Sequence, residues 1–315
     1  MTAPMQAQER LRGVLAGAVV DRPPLCLWHH FRPEGSPEAL AAATVGFFGD
    51  LGFDLYKVMP DLPYPAPPAP LAGPAAWESL PRLGVGAGQP LAGMAAAVSL
   101  VRQRQPEAVI LATVFSPLAV ALRWTGGPQG FAAAVASAPR SVDRGLGTVA
   151  ENVAAQCGSC LAAGADGIFF ATAGLGDGMF TDEAYRRWGR PFDLLALEGC
   201  AAGWCNVLHM HADGGLRFAR AADYPVPILS WSDRRTGIPL SEVSAALPGK
   251  TVMGGIDERG AVVRGDVAAL GAEMRDAVRQ TGGRRLIIAG GCSVPDDIPP
   301  DHLRSAARLI REWAA

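Results

Sequence analysis

The chain has 315 residues, 49% of them hydrophobic, which is enough material for a large buried core. A formal net charge of −2 gives no electrostatic drive toward nucleic acid or an anionic membrane surface, so neither is expected as a partner. The first residues, Met1 to Arg10, lack the basic region and apolar stretch of a signal peptide, and no apolar run is long enough to span a bilayer. The expectation is a soluble cytoplasmic protein whose six cysteines are reduced thiols. Lysine occurs only at Lys57 and Lys250, a bias read here as codon usage rather than as a recognition surface.

In chain order, Gln6 to Val20 reads as an opening helix. A short apolar run, Leu25 to Trp28, then ends in the polar stretch His29-His-Phe-Arg-Pro-Glu34. Ser36 to Leu51 is helical, with Ser36 as N-cap and Pro37 in the first turn. The next strand, Asp54 to Met59, runs into Pro60-Asp61 and a Pro-rich loop to Pro74, long enough to overhang a site. Helix Leu91 to Gln105 precedes strand Ala108 to Val114 and then Ser116. Two helical patterns, Leu118 to Ala136 and Val142 to Ala163, precede strand Gly167 to Thr172. Cys157 and Cys160 form a C-x-x-C inside the second of these patterns. With no second pair and no flanking histidine, they read as helix packing. Helix Thr181 to Leu197 is followed by strand Cys205 to His209. A helix around Leu216 to Ala221 is followed by strand Val226 to Ser230. The chain closes with helix Pro239 to Leu247, strand Thr251 to Gly254, helix Val267 to Gln280, strand Leu286 to Ala289 and helix Pro300 to Trp313.

Eight apolar strands, each followed by a helix and with no linker between them, predict parallel strands buried on both faces. The fold class is therefore α/β, a single-domain (β/α)8 TIM barrel over residues 1–315 with an extra N-terminal helix. A doubly wound sheet is the alternative, but no G-x-G-x-x-G follows the first strand. Active sites of barrels sit at the C-terminal strand ends. His209 and His211, two residues apart after strand five, face the same side. Cys292 follows a Gly-Gly turn after strand eight, across the same mouth. The three can converge as metal donors. Four of the five histidines fall at two strand ends, which favours a metal or acid–base site. The same rim carries Trp28, His29, His30, Arg32, Asp61, Ser116, Thr172, Ser232, Asp233 and Asp257, and Asp213 follows the two histidines closely.

The order of these motifs resembles the uroporphyrinogen decarboxylase superfamily, including its zinc methyltransferase branch. The similar segments are Pro23 to Arg32, Gly52 to Asp61, Gly164 to Gly167, Leu208 to Gly215, Gly254 to Asp257 and Gly290 to Pro295. The resemblance implies a (β/α)8 barrel and suggests a homodimer. The decarboxylases proper need two arginines after strand one and an aspartate after strand two. Asp61 and Arg32 match two of these, but the first arginine falls on Trp28, which cannot pair a substrate carboxylate. Decarboxylation of uroporphyrinogen is therefore not expected. The methyltransferase branch carries His-x-Cys after strand five and Cys after strand eight. This chain keeps His209 and Cys292 and places His211 in the middle.

The resemblance thus implies methyl, or more generally alkyl, transfer to a thiol acceptor at a zinc site of His209, His211 and Cys292. Iron, copper or nickel are the other metals such donors admit. The metal would activate the thiolate, with His209 and His211 also counted as catalytic. No corrinoid-binding D-x-H-x-x-G occurs, so a corrinoid would come on a separate partner protein. Asp61, Asp233, His29 and His30 are candidates for a fourth ligand or for orienting a small-molecule substrate. Trp28 joins them as a substrate-binding residue, and Arg32 would anchor a carboxylate or sulfonate. Arg234 and Arg235 read as solvated loop charges. The alternative is metal-free decarboxylation of a pyrrole or aromatic acid, with Asp61 stabilising a protonated ring.

Overall fold

The computed structural model describes residues 4–32, 35–212 and 214–313. Its centre is one sheet of eight parallel strands: β1 Leu25–Cys26, β2 Leu55–Val58, β3 Val109–Phe115, β4 Gly167–Thr172, β5 Val207–Met210, β6 Ile228–Ser230, β7 Thr251–Ile256 and β8 Leu286–Gly290. The order is β1-β8-β7-β6-β5-β4-β3-β2, and β1 and β2 bring the two ends together. This is the (β/α)8 barrel that the strand rhythm predicts. Val, Ile, Leu and Phe dominate the strands because one strand face fills the barrel and the other lies under the helices.

The strands fall within two residues of their predicted bounds, and the helices differ more. The stretch expected as one helix from Leu118 to Ala136 is two, Pro117–Trp124 and Pro128–Ser137. Between them Gly126 and Gly127 take positive φ, and Pro128 begins the second helix. Likewise Thr181 to Leu197 divides into Asp182–Trp188 and Arg190–Glu198, because Pro191 has no N–H to continue the first helix. The segment around Leu216 to Ala221 forms only a 3₁₀ turn, Phe218–Arg220. Cys157 and Cys160 are fully buried in helix Pro139–Ala162, as helix packing requires.

The barrel seam is closed by a carboxylate. β1 is only two residues long, and β2, at the other end of the sheet order, starts just after Asp54. Asp54 donates its N–H to the Leu25 carbonyl at 3.0 Å, and its carboxylate accepts the Leu25 N–H at 2.8 Å. Arg10 and Arg22 bind the same carboxylate at 2.6 and 2.7 Å. This ties the opening helix, Ala7–Ala16, across the N-terminal end of the barrel.

Candidate metal centre

β5 carries His209 inward, opposite Ala171 of β4 and Ser230 of β6. His211 follows just beyond the strand, on the same side. Cys292 reaches the mouth through a tight turn after β8. A Cβ at Gly291 would sit 2.2 Å from Ser232 Cα, so only glycine lets the chain pass there. The Val294 N–H then donates to the Trp28 carbonyl at 2.9 Å, which holds the loop over the barrel.

The outcome is a triad. One donor atom from each of His209, His211 and Cys292 lies within 4.8 Å of the other two. Cys292 Sγ is 3.8 Å from His211 Nδ1. His209 is buried, with Nδ1 3.3 Å from Ser230 Oγ and its ring stacked on Phe169 at 5.1 Å. Burial holds the His209 imidazole below the ordinary histidine range, against the opposing pull of Cys292. Burial alone would raise the Cys292 thiol. Hydrogen bonding to His209 and His211 and their charge override it and bring the group down to about 4. Cys292 is thus biased toward the thiolate, the form in which a cysteine ligates metals, and His209 is held in a fixed orientation beside it.

The triad opens into a cavity of about 190 Å3 whose walls include Trp28, Met59, Phe115 and Phe169. That is smaller than the ~300–1,000 Å3 usual for drug-sized ligands, so the cavity suits a small substrate.

The other residues expected at the rim divide sharply. Trp28 is 2% exposed and lines the cavity, as do His30 and Thr172. His29 does not: its ring packs edge-on against Phe31 and Phe47, and its Nδ1 meets the His30 carbonyl. Asp61 is not in the cavity wall. Its carboxylate receives His30 Nδ1 at 2.5 Å and the Phe31 N–H at 2.7 Å, clasping the chain after β1 to the chain after β2. Burial raises the Asp61 carboxyl, but these partners hold it below its usual value. Arg32 adopts positive φ and points to solvent, its side chain 82% exposed and paired with Asp296. Asp233 is buried away from the cavity, accepting the Gly255 N–H at 2.9 Å and so tying β6 to β7. Its carboxyl is raised to about 6 by burial. Arg234 is no solvated charge, since it binds the Gly255 carbonyl and Asp276. Arg235 is about half exposed and lies near Asp257. Ser116 caps the helix that follows it, and Ser232 donates to Glu258. Asp213 lies outside the described residues. Of the Pro-rich loop, Pro60 reaches the cavity.

The reading of the residues missed Lys57. It is 1% exposed, on the inward face of β2, and lines the cavity. Its Nζ lies 4.2 Å from the centre of the Phe169 ring, 5.0 Å from that of Trp28, and 3.2 Å from Met59 Sδ. Burial lowers the amine to about 7. Its rarity is the signal the sequence offers, since it is one of two lysines among 28 basic residues, and codon usage accounts for that rarity equally well.

Behind the cavity, Thr172 Oγ1 donates at 2.8 Å to Asp193, which also accepts from Tyr185 and Tyr224. Asp193 Oδ1 has no partner, and burial raises the carboxyl to about 7. Its proton is thus retained on folding, whereas the unfolded group titrates near 3.8. Stability from this group is full below pH ~4 and declines until pH ~7, by on the order of 4 kcal/mol. Asp193→Asn mimics the protonated form and should flatten this slope, leaving the variant at least as stable as the parent at pH 8. Urea unfolding at pH 5 and pH 8 checks this, and an unchanged slope would refute it.

These features define a parallel barrel with a His-His-Cys triad at its C-terminal mouth. The uroporphyrinogen decarboxylase (URO-D) family model matches residues 47–313, and the chain belongs to that family. Nothing among curated protein sequences matches it. Among solved structures, a methyltransferase from Methanosarcina mazei aligns over 99% of this chain and 100% of its own, at 15% identity and a TM-score of 0.72. A Listeria monocytogenes protein assigned as a vitamin B12-independent methionine synthase aligns over 88% of this chain and 86% of its own, at 14% identity and a TM-score of 0.55. At such identities the likeness is one of fold. No helix of the described residues is long and apolar enough to cross a membrane.

Proposed function

We propose that the protein transfers a methyl group to the sulfur of a small thiol, with zinc held by His209, His211 and Cys292. The observation that carries this reading is the convergence of those three donors within 4.8 Å at a small, apolar-walled cavity. The donor set fits the ion. Tetrahedral zinc, with Zn–N near 2.0–2.1 Å and Zn–S near 2.3 Å, separates sulfur and nitrogen donors by about 3.5 Å. Cys292 Sγ and His211 Nδ1 are 3.8 Å apart. When bound, zinc supplies a Lewis acid that keeps an acceptor sulfur as thiolate near neutral pH.

The chain's own residues do the rest. Ser230 and Phe169 fix the His209 ring, which sets the direction of its free nitrogen. Trp28, Met59, Phe115 and Phe169 exclude water, which sharpens the nucleophilicity of a bound thiolate. In the transfer, the thiol loses its proton, a sulfur–carbon bond forms, and the donor keeps the electron pair of the bond that breaks. The names of the two structural neighbours, a methyltransferase and a methionine synthase, agree with this chemistry. A corrinoid brought by a separate protein is the proposed donor, and a homodimer the proposed assembly. Decarboxylation built on Asp61 finds no such support, because that carboxylate is engaged by His30 and Phe31 outside the cavity wall.

The test combines zinc analysis of the purified protein with an assay for thiol methylation from methylcobalamin, using uroporphyrinogen as a control substrate. The expected result is bound zinc, methylated thiol that disappears on chelation, and no coproporphyrinogen. Turnover of uroporphyrinogen, or thiol methylation unaffected by chelation, would overturn the reading.

A further inference from the structure

A chain of hydrogen bonds leads from the cavity at the triad to an outer cleft. Thr172 ends β4 opposite Met210, the residue between the two histidines, and its carbonyl accepts the His211 N–H at 3.4 Å. The residue lines the cavity. Its hydroxyl donates to Asp193 Oδ2 at 2.8 Å, so toward any other partner it offers lone pairs alone. The same Oδ2 accepts from Tyr185 at 3.2 Å and from Tyr224 at 3.0 Å, and the two phenols lie 2.5 Å apart. Tyr185 is in turn part of the wall of the outer cleft, with Asp182, Arg186 and Arg220. The groups that face the carboxyl are therefore hydroxyls: Thr172 from β4, Ser116 from the end of β3, and the two tyrosines. The charge beyond them is Arg220, 5.4 Å from the centre of the Tyr185 ring. Asp193 Oδ1 has no partner, and a wholly buried carboxyl with one oxygen unmatched is a costly way to fill a core.

We propose that Thr172 and Asp193 carry away the proton of the acceptor thiol at the His209–His211–Cys292 triad, with Tyr185 on the side from which it leaves. This rests on the thiol reading of the triad and adds the destination of the proton. The S–H bond breaks and its electron pair stays on sulfur. The proton goes to Thr172 Oγ1 as the Thr172 proton passes to Asp193 Oδ2. The carboxyl, placed at about 7 by burial, is matched to this work near neutral pH. The other side chains of the cavity suit it less. His209, His211 and Cys292 are the metal donors. Lys57 on taking a proton would add a positive charge near a metal site that carries +1, whereas Asp193 on taking one becomes neutral.

The experiment is stopped-flow binding of 2-mercaptoethanol to cobalt(II)-loaded protein, followed by the growth of thiolate-to-cobalt absorption. Asp193 accepts only when ionised, so the rate for the parent should rise with pH through about 7. Asp193→Asn cannot take the proton and Thr172→Val cuts the link. Both should lose this rise and be slower by about tenfold or more on its alkaline side. The final absorption, which reports affinity, should be unchanged in both, a split that a merely structural role would not produce. Thr172→Ser should restore the parent's rate. A rise that persists in both variants would overturn the relay, as would a rise lost in Lys57→Met alone. If no thiolate absorption grows in the parent, the thiol reading fails and the relay with it. If it grows equally fast in parent and variants, the thiol reading stands and the relay falls.

Discussion

Cys292→Ala and His211→Ala are each expected to lose zinc and thiol methylation together, and Cys292→Ala to do so most completely. Zinc sites are worth roughly 10–16 kcal/mol, so one ligand of three or four carries on the order of 3–4 kcal/mol, several hundredfold in affinity. Cys292 also supplies the only negative charge of the triad, held as thiolate by His209 and His211. Dialysis against a chelator of moderate strength, followed by elemental analysis, should leave the parent near one zinc per chain and these variants near none. His211→Cys should behave differently. Two thiolates and one imidazole neutralise the ion's charge, whereas two imidazoles and one thiolate leave +1. That variant should keep its metal, bind the acceptor thiolate less tightly and shift the pH profile of alkylation upward. Full metal content in both alanine variants would show that the triad is not the metal site.

The strands and the triad were legible in the sequence for one reason. A parallel barrel buries both faces of each strand, so strands read as apolar runs, and the fold places all their C-terminal ends at one mouth. His209, His211 and Cys292 could therefore be joined across more than eighty residues of sequence without side-chain information. Side-chain capture was not legible. Asp61, Asp233 and His29 occupy rim positions by register, yet His30, the Gly255 N–H and two phenylalanines hold them elsewhere. Such outcomes depend on rotamers and on neighbours from distant elements. Lys57 failed for the opposite reason. The scarcity of lysine is explained by codon usage alone, but in a closed barrel no strand face meets water, so the lysine of Leu-Tyr-Lys-Val has to be buried. The helix breaks before Pro128 and at Pro191 could have been seen, since proline cannot extend the helix that precedes it.

The barrel seam should depend on Asp54 more than on any apolar residue near it. Asp54→Ala is expected to destabilise the protein by about 3–5 kcal/mol, a large part of the ~5–15 kcal/mol typical of folded domains. The loss does not come from the carboxylate's own attraction, which its desolvation largely offsets. It comes from what is left behind. Arg10 is 3% exposed, and its Nη1 binds Asp54 at 2.6 Å. Its remaining partners, Asp21 and the Met5 carbonyl, lie on the other side of the guanidinium. Arg22 would lose both contacts to the carboxylate, and the Leu25 N–H, at the start of a two-residue strand, would have no acceptor. One cation, Arg22, would then have no carboxylate, one edge of the Arg10 guanidinium would be unmatched, and a buried amide would lack its acceptor, all at the one place where β1 and β2 must meet. Asp54→Asn separates charge from geometry: its amide oxygen can still accept from Leu25, so it should fall between parent and alanine variant. Urea unfolding of all three, monitored by circular dichroism, measures the differences. Because the seam lies at the end of the barrel opposite the triad, zinc content of the folded fraction should not change. An Asp54→Ala variant within about 1 kcal/mol of the parent would mean that the opening helix and β1 are held by apolar packing, with the ion pairs as bystanders.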